Sequence, residues 1–516
     1  MSRPPFRAIV MFLLVAAAVV AAQTPRPDTP QQPSVTFKVE VNYVEIDAVV
    51  TDAQGQLVRG LTKDDFQVTE AGKPQAITAF SSVDIPIDRA DPPLYRAGVV
   101  EPDVASNLEE FDGRIFVIVL DDLWTAPSRS RLVRAAAAQF VRRFVAANDL
   151  AAVVTTGGNA RNAQEFTSNH RRLVAAIDTF VGRKQGDEPD IERTSHARNT
   201  LDALQGLAEY AGGIRGRRKA IVWFGEGIDY DVDNPFTSPN ADVVRREMQE
   251  AIGAANRANV SFYAVDARGV GAGLDEAIGL EGLPEQNGGM SGVQDRIRLS
   301  QNNMRTISVE SGGFAIVNRN DLNAAFQQII RDNSSYYVLG YYSSDERRDG
   351  KFREVQVRVT RPGLRVNARK GYVAPQGKPS KPEPPTANGA SPALRDAIGS
   401  PVPTTGLGLS VYAAPFAGAA PKASVAVVIE VDPARLTFKE QNGTFNDDLE
   451  VVILAVDSAG KSADGARDQA PLRLTPPSHA AVRQHGFRMM RRLSLPPGRY
   501  TLRVGAREIA TNAIGS

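Results

Sequence analysis

Two adjacent carboxylates, Asp121 and Asp122, follow directly on the apolar run that spans residues 114–120. A continuous run of that kind reads as a strand buried on both faces. Ligands of open α/β sheets collect where such strands end, so the pair stands at a rim where chemistry is possible. Two kinds of chemistry suit them: oxygen ligation of a hard cation, or general acid–base work. The second requires two environments that separate the pKa values, and no sequence displays that. Other enzyme signatures are missing. The four histidines, His170, His196, His479 and His485, are scattered and form no H-E-x-x-H. Residues 289–293 fail the nucleophile-elbow pattern at their last position, Val293. No glycine-rich phosphate loop ending in Gly-Lys-Ser/Thr occurs. There are no cysteines, which excludes disulfides, thiol nucleophiles and thiolate metal sites. A hydrolase using the acidic rim is the weakest reading of the chain.

Elements able to hold such a rim follow in order. Helical periodicity runs over 128–147, with Leu132, Val133, Ala136, Phe140, Val141 and Phe144 on one stripe. A second apolar strand is expected at 150–155, stopped by Gly157 and Gly158. Helices are expected at 168–180, 198–210 and 241–259, with strands at 219–224 and 260–265. A glycine-rich loop covers 267–293, either mobile and functional or a tolerated insertion. A helix (299–310), a strand (313–317) and a closing helix (323–332) follow. Such alternation predicts a mostly parallel sheet covered by helices on both faces.

Outside this stretch the pattern is β. Residues 35–83 read as a small β domain, and 84–110 as a proline-bearing connector. Residues 335–342 and 353–360 alternate in type and read as an antiparallel hairpin, with Tyr337 and Tyr341 on one face. A proline-rich linker occupies 374–394, and 395–516 reads as a β-sandwich-like domain. Residues 499–507 read as a strand; where related sequences continue into one more strand, the last sheet here would expose an edge, either by truncation or as a docking edge.

Net charge is +1, from 60 basic and 59 acidic residues, so no field of one sign draws in nucleic acid. Arg3 and Arg7, the apolar run 8–20 and the small residues Ala21 and Ala22 read as a signal peptide over 1–22. The alternative is an uncleaved anchor. No later segment is long and apolar enough to span a bilayer. The expected location is outside the cytoplasm: periplasmic, envelope-associated or extracellular.

The order of parts in 114–332 resembles the von Willebrand factor type A (VWA) domain. More specifically, the chain resembles the VWFA-related family common in Acidobacteria. The residues that carry this are Gly60-Leu61-Thr62-Lys63-Asp64-Asp65-Phe66, then Asn148-Asp149-Leu150, then Ser311-Gly312-Gly313-Phe314, Tyr336-Tyr337-Val338-Leu339-Gly340-Tyr341 and Arg369-Lys370-Gly371-Tyr372. The resemblance implies an α/β fold: a doubly wound, mostly parallel, Rossmann-like sheet flanked by N-terminal and C-terminal β domains, the VWA-like part covering 110–373. It also implies a metal-ion-dependent adhesion site built from three loops. Here Asp121 matches the family aspartate, Leu123 replaces the first serine, and Thr125 stands for the second. Thr200 supplies the second loop, and Glu226 replaces the aspartate of the third.

A possible Mg²⁺ would take oxygens from Asp121, Thr125, Thr200 and Glu226, directly or through water. Leu123 cannot coordinate and crowds the ion. The opposing reading is a decayed site, in which Asp121 and Asp122 satisfy loop amides or cap the next helix. Asp122 and Trp124 are the expected partner-binding residues, Trp124 either as an exposed anchor or packed on a helix. The function expected from this is an exported, non-enzymatic protein-binding or adhesion-type module using the strand-end crevice. The alternative is a structural envelope protein with a dead metal site, acting through its β domains by strand addition.

Overall fold

The computed structural model describes residues 43–516, except 86–103, 109–110, 112, 159–162, 186–187, 215–217, 237, 270–288, 346, 375–389 and 458–460. The signal segment and most of the linker and glycine-rich loop therefore lie outside the described residues. Among the described residues no helix is long and apolar enough to cross a membrane.

The strand Ile115–Leu120 forms where expected, because six successive apolar side chains can be buried on both sides. It lies inside a six-stranded sheet, between Lys219–Gly225 and Leu150–Thr155. Val260–Asp266 and Ala315–Ile316 extend the parallel part, and Gln164–Thr167 closes the other edge antiparallel. Phe116, Ile118 and Leu120 pack on helices Ser130–Phe144, His170–Asp178 and Asn323–Ser334. Val117 and Val119 face Asp190–Gly212, Ala241–Ala258 and Gly289–Glu310.

The expected plan for the whole chain, a doubly wound parallel sheet flanked by β domains, is nevertheless corrected. Strand (38%) outweighs helix (31%), and the sheets are mostly antiparallel. Four of the five sheets contain only antiparallel pairs. The N-terminal strands do not make a sheet of their own. Tyr43–Thr51 lies between Ser335–Tyr342 and Arg365–Ala368, and Phe66–Glu70 pairs with Phe352–Val359. The short strand Val104–Ser106 joins Leu409–Ala417, far along the chain. The expected hairpin is corrected for the same reason. Ser335–Tyr342 is bonded on both edges, by Tyr43–Thr51 and Ile77–Asp84, so it has no edge left for Phe352–Val359. Alternation fixes which face of a strand is buried but does not name its neighbour.

The exposed C-terminal edge is corrected too. Ile514–Gly515 turns back onto Tyr500–Glu508, and the Leu407 amide donates to the Ile514 carbonyl. At the other side of this region the outer edge of Ser462–Leu474 faces side chains rather than water alone. The Ser494 amide donates to Asp464 at 2.7 Å, and Arg491 pairs with Asp468.

The woven N-terminal strands are locked by Glu70, which is buried. Its carboxylate accepts from Tyr341 at 2.8 Å, Ser343 at 2.6 Å and Tyr372 at 3.1 Å. One strand of the first hundred residues is thereby tied to two segments beyond residue 340. Glu70→Ala leaves three buried hydroxyls to find new partners. It should lower the unfolding free energy by at least about 1–3 kcal/mol, the cost of one unsatisfied buried group, read from a denaturant titration.

Candidate functional site at the strand ends

Where the parallel strands end, the ladder runs on into Asp121, whose amide donates to the Phe224 carbonyl at 2.9 Å. Its side chain is wholly buried. One carboxylate oxygen accepts from the Thr156 hydroxyl at 2.9 Å and the Trp124 amide at 3.3 Å; the other accepts from the Trp223 indole at 3.2 Å. Gly225 leaves the room: a Cβ there would come within 2.5 Å of the Asp121 Cβ. With no cation beside it, burial pushes the Asp121 carboxyl up to about 7.

Asp122, Glu226, Asp229 and Asp266 at this rim each meet a cation from the chain itself, whereas Asp190 accepts from the neutral groups of Thr194, Tyr230 and Asn240. Glu226 is held bidentate by Arg129, at 2.6 and 2.9 Å, and accepts from the Ala126 amide at 3.2 Å. Asp122 accepts from the Gly157 amide at 2.7 Å and pairs with Arg183 at 2.7 Å. Asp229 faces Lys184 and Arg193. Asp266 is gripped by Arg268, which also donates to the Glu226 carbonyl. The segment carrying Arg183 and Lys184 is stitched to the first loop by its backbone, donating to the carbonyls of Asp122 and Thr125.

Asp121, Asp122, Thr125 and Glu226 thus lie in neighbouring loops, as the 3.2 Å contact between the Ala126 amide and Glu226 shows. Thr200 sits on helix Asp190–Gly212, which packs on the same loop through Ala197 and Leu201 against Leu123 and Trp124. Asp121 and Asp122 meet at the Thr156 hydroxyl, 2.9 and 3.1 Å away, but Glu226 does not join them. Asp121 faces Thr156 and Trp223; Glu226 faces Arg129. The buried hydroxyls of Thr125 and Thr200 have no hydrogen-bond partner among the described residues.

A divalent cation needs free oxygens in a near-octahedral array. The fit fails at Glu226, whose two oxygens are already spent on a guanidinium that carries the compensating charge. Among the described residues no group of three or more His, Asp or Glu is arranged to hold a metal ion. The two hydroxyls, with the Trp124 indole N–H that also has no hydrogen-bond partner among the described residues, favour an added ligand but make no cation cage.

Trp124 is not an exposed anchor. It is fully buried, edge-on to His196 with ring centroids 6.0 Å apart, and Lys184 lies over its face. Asp122 is buried as well, so neither side chain presents itself to a partner. Along with the exposed Arg183, two large apolar side chains reach solvent: Phe236, 97% exposed, on the loop after Lys219–Gly225, and Ile191, 77% exposed, at the start of helix Asp190–Gly212. Asn240, which ends the Phe236 loop, bonds to Asp190 next to Ile191. The isolated Phe236, between Pro235 and polar residues, carried a signal that periodicity alone passes over. Arg129 gave none, because nothing in local spacing pairs it with a residue ninety-seven positions on.

In comparisons with known proteins, no family model matches the chain, and no curated protein matches it.

The raised carboxyls set a pH dependence. Asp121 is pushed to about 7, and Asp332 and Asp447 to about 6, each chiefly by burial. The native state keeps these protons where the unfolded chain has lost them. Their contribution to stability is therefore full below the ordinary value of 3.8 and is lost as pH rises toward 6–7. Urea titrations should show this decline between about pH 4 and 7, and Asp121→Asn should flatten its upper part. An unchanged slope in that variant would show that Asp121 does not titrate there.

Proposed function

We propose that the chain is an exported, non-enzymatic protein-binding module of the VWFA-related kind, which engages a protein partner at its strand-end rim. Its adhesion site is degenerate, with arginines carrying the charge that a metal ion carries elsewhere in that family. The observation that bears most weight is the pairing of an internally neutralised rim with the wholly exposed Phe236 and nearby Ile191. Large apolar side chains left in water forfeit burial energy of roughly 1.5–3 kcal/mol each. At a rim fixed by ion pairs they are suited to anchor a partner. Strand addition at the C-terminal region is disfavoured by Phe487–Leu495, whose Ser494 amide and Arg491 engage Asp464 and Asp468 of Ser462–Leu474.

A photo-crosslinking residue placed at position 236 should trap one discrete protein from an envelope extract of the producing cell. The same residue at the exposed Lys439 should trap none. Excess unlabelled wild-type chain should compete, and excess Phe236→Asp should not. Equal trapping at both positions would contradict the assignment.

The charge argument has its own test. EDTA or millimolar Mg²⁺ should move the melting temperature by less than about 1 °C, since a ligand that does not bind the native state cannot stabilise it. A saturable rise with Mg²⁺ would place an ion at Asp121, Thr125 and Thr200 after all.

A further inference from the structure

Away from the rim, two apolar surfaces of the protein face each other without meeting. One belongs to the six-stranded sheet and its helix Asp190–Gly212: Val154, Phe166, Leu207 and Tyr210. The other belongs to the C-terminal region: Ile398, Leu502 and Val504. Between them lies a cavity of about 450 Å³. Protein interiors are packed at crystal density, and gaps larger than a water molecule are few. This one lies in the range of roughly 300–1,000 Å³ that holds small-molecule ligands. Its open side carries Phe166 and the exposed Tyr210, stacked with centroids 6.4 Å apart and planes 22° apart.

The polar groups on its lining are few and mostly spent. Gln164 accepts from Arg499 at 2.5 Å and donates to the Glu165 carbonyl. Arg503 is different. Its contacts are all long: 3.4 Å to the carbonyls of Ile398 and Gly399, and 3.6 Å to Glu165. Charge-assisted bonds of a guanidinium normally close to about 2.7–2.9 Å, and a carboxylate can take two of them at once. Glu165, 40% exposed, is able to swing into water when its partner is taken. An unsaturated guanidinium beside an apolar chamber is complementary to a carboxylate on an apolar tail.

We propose that this cavity is a binding site for an amphipathic carboxylate of the fatty-acid type, its tail against Phe166, Leu207, Tyr210 and Val504 and its carboxylate on Arg503. The site is independent of the rim and of the partner that the rim engages. Sodium dodecanoate, added to the full chain below its micelle concentration and followed by isothermal titration calorimetry, is the probe. Saturable binding near one equivalent is expected, with dodecanol binding more weakly. Arg503→Gln should weaken dodecanoate by roughly tenfold or more and leave dodecanol unchanged, the signature of a lost charge-assisted pair. Leu207→Trp fills the chamber and should abolish both. Val504→Phe, from the opposite wall, replaces it if that variant does not fold. No saturable heat with the wild-type chain would overturn the proposal. So would undiminished binding by a folded cavity-filling variant, or equal loss of dodecanoate and dodecanol in Arg503→Gln.

Discussion

A carboxylate withdrawn from water needs a positive charge or a proton, and the strand-end rim of this protein is organised by that requirement. Arg129 on Glu226, Arg183 on Asp122, and Lys184 and Arg193 on Asp229 bring the charge from another segment of the chain, while Arg268 pairs with Asp266 two residues away. These contacts do more than neutralise. They join the loop after Ile115–Leu120 to the segment before helix Asp190–Gly212 and to the turn after Lys219–Gly225. Asp121 is the exception and meets the requirement by the other route, with three hydrogen-bond donors and a carboxyl raised to about 7. The rim is therefore stiff and nearly neutral without an added ion. It offers to solvent two large apolar side chains, Phe236 and Ile191, along with the guanidinium of Arg183.

The remainder of the fold supports this arrangement from the opposite end. Arg114, just before the central strand, is fully buried and donates to Asp149 from its backbone amide and from the Nε and Nη2 edge of its guanidinium at 2.7–2.9 Å. Arg114 also reaches the Ser334 hydroxyl, immediately before the strand Ser335–Tyr342 that pairs with Tyr43–Thr51. The buried ion pair thereby ties two neighbouring strands of the parallel sheet at their starts, and the Ser334 hydrogen bond links that pair to the antiparallel layer. Breaking such a pair on one side is costly, because the remaining charge stays buried.

The sequence made local facts legible and distant ones not. Ile115–Leu120, Leu150–Thr155 and Lys219–Gly225 stand close to where apolar runs place them, since a buried strand needs that composition whatever surrounds it. Asp121 was readable as a strand-end group for the same reason. The partners of Tyr43–Thr51 and Phe66–Glu70 were not, because an alternating strand is compatible with any neighbour presenting a complementary face. This is why an apparent N-terminal domain proved to be woven into residues 335–373. At the site, residue type predicted oxygen ligands, but the charge balance was decided by arginines brought in through tertiary structure. Trp124 shows the limit most plainly. Its place in a loop suggested exposure, yet helix Asp190–Gly212 covers it.

The central claim is that the Arg129 guanidinium, and not a metal ion, is the counter-charge of Glu226. A double-mutant cycle measures this directly. Arg129→Met and Glu226→Leu should each destabilise the protein by about 3–5 kcal/mol, and the double variant by far less than their sum, because the second substitution removes the charge that the first left unpaired. Additive losses within about 0.5 kcal/mol would mean that the two side chains do not neutralise each other, and would contradict the account.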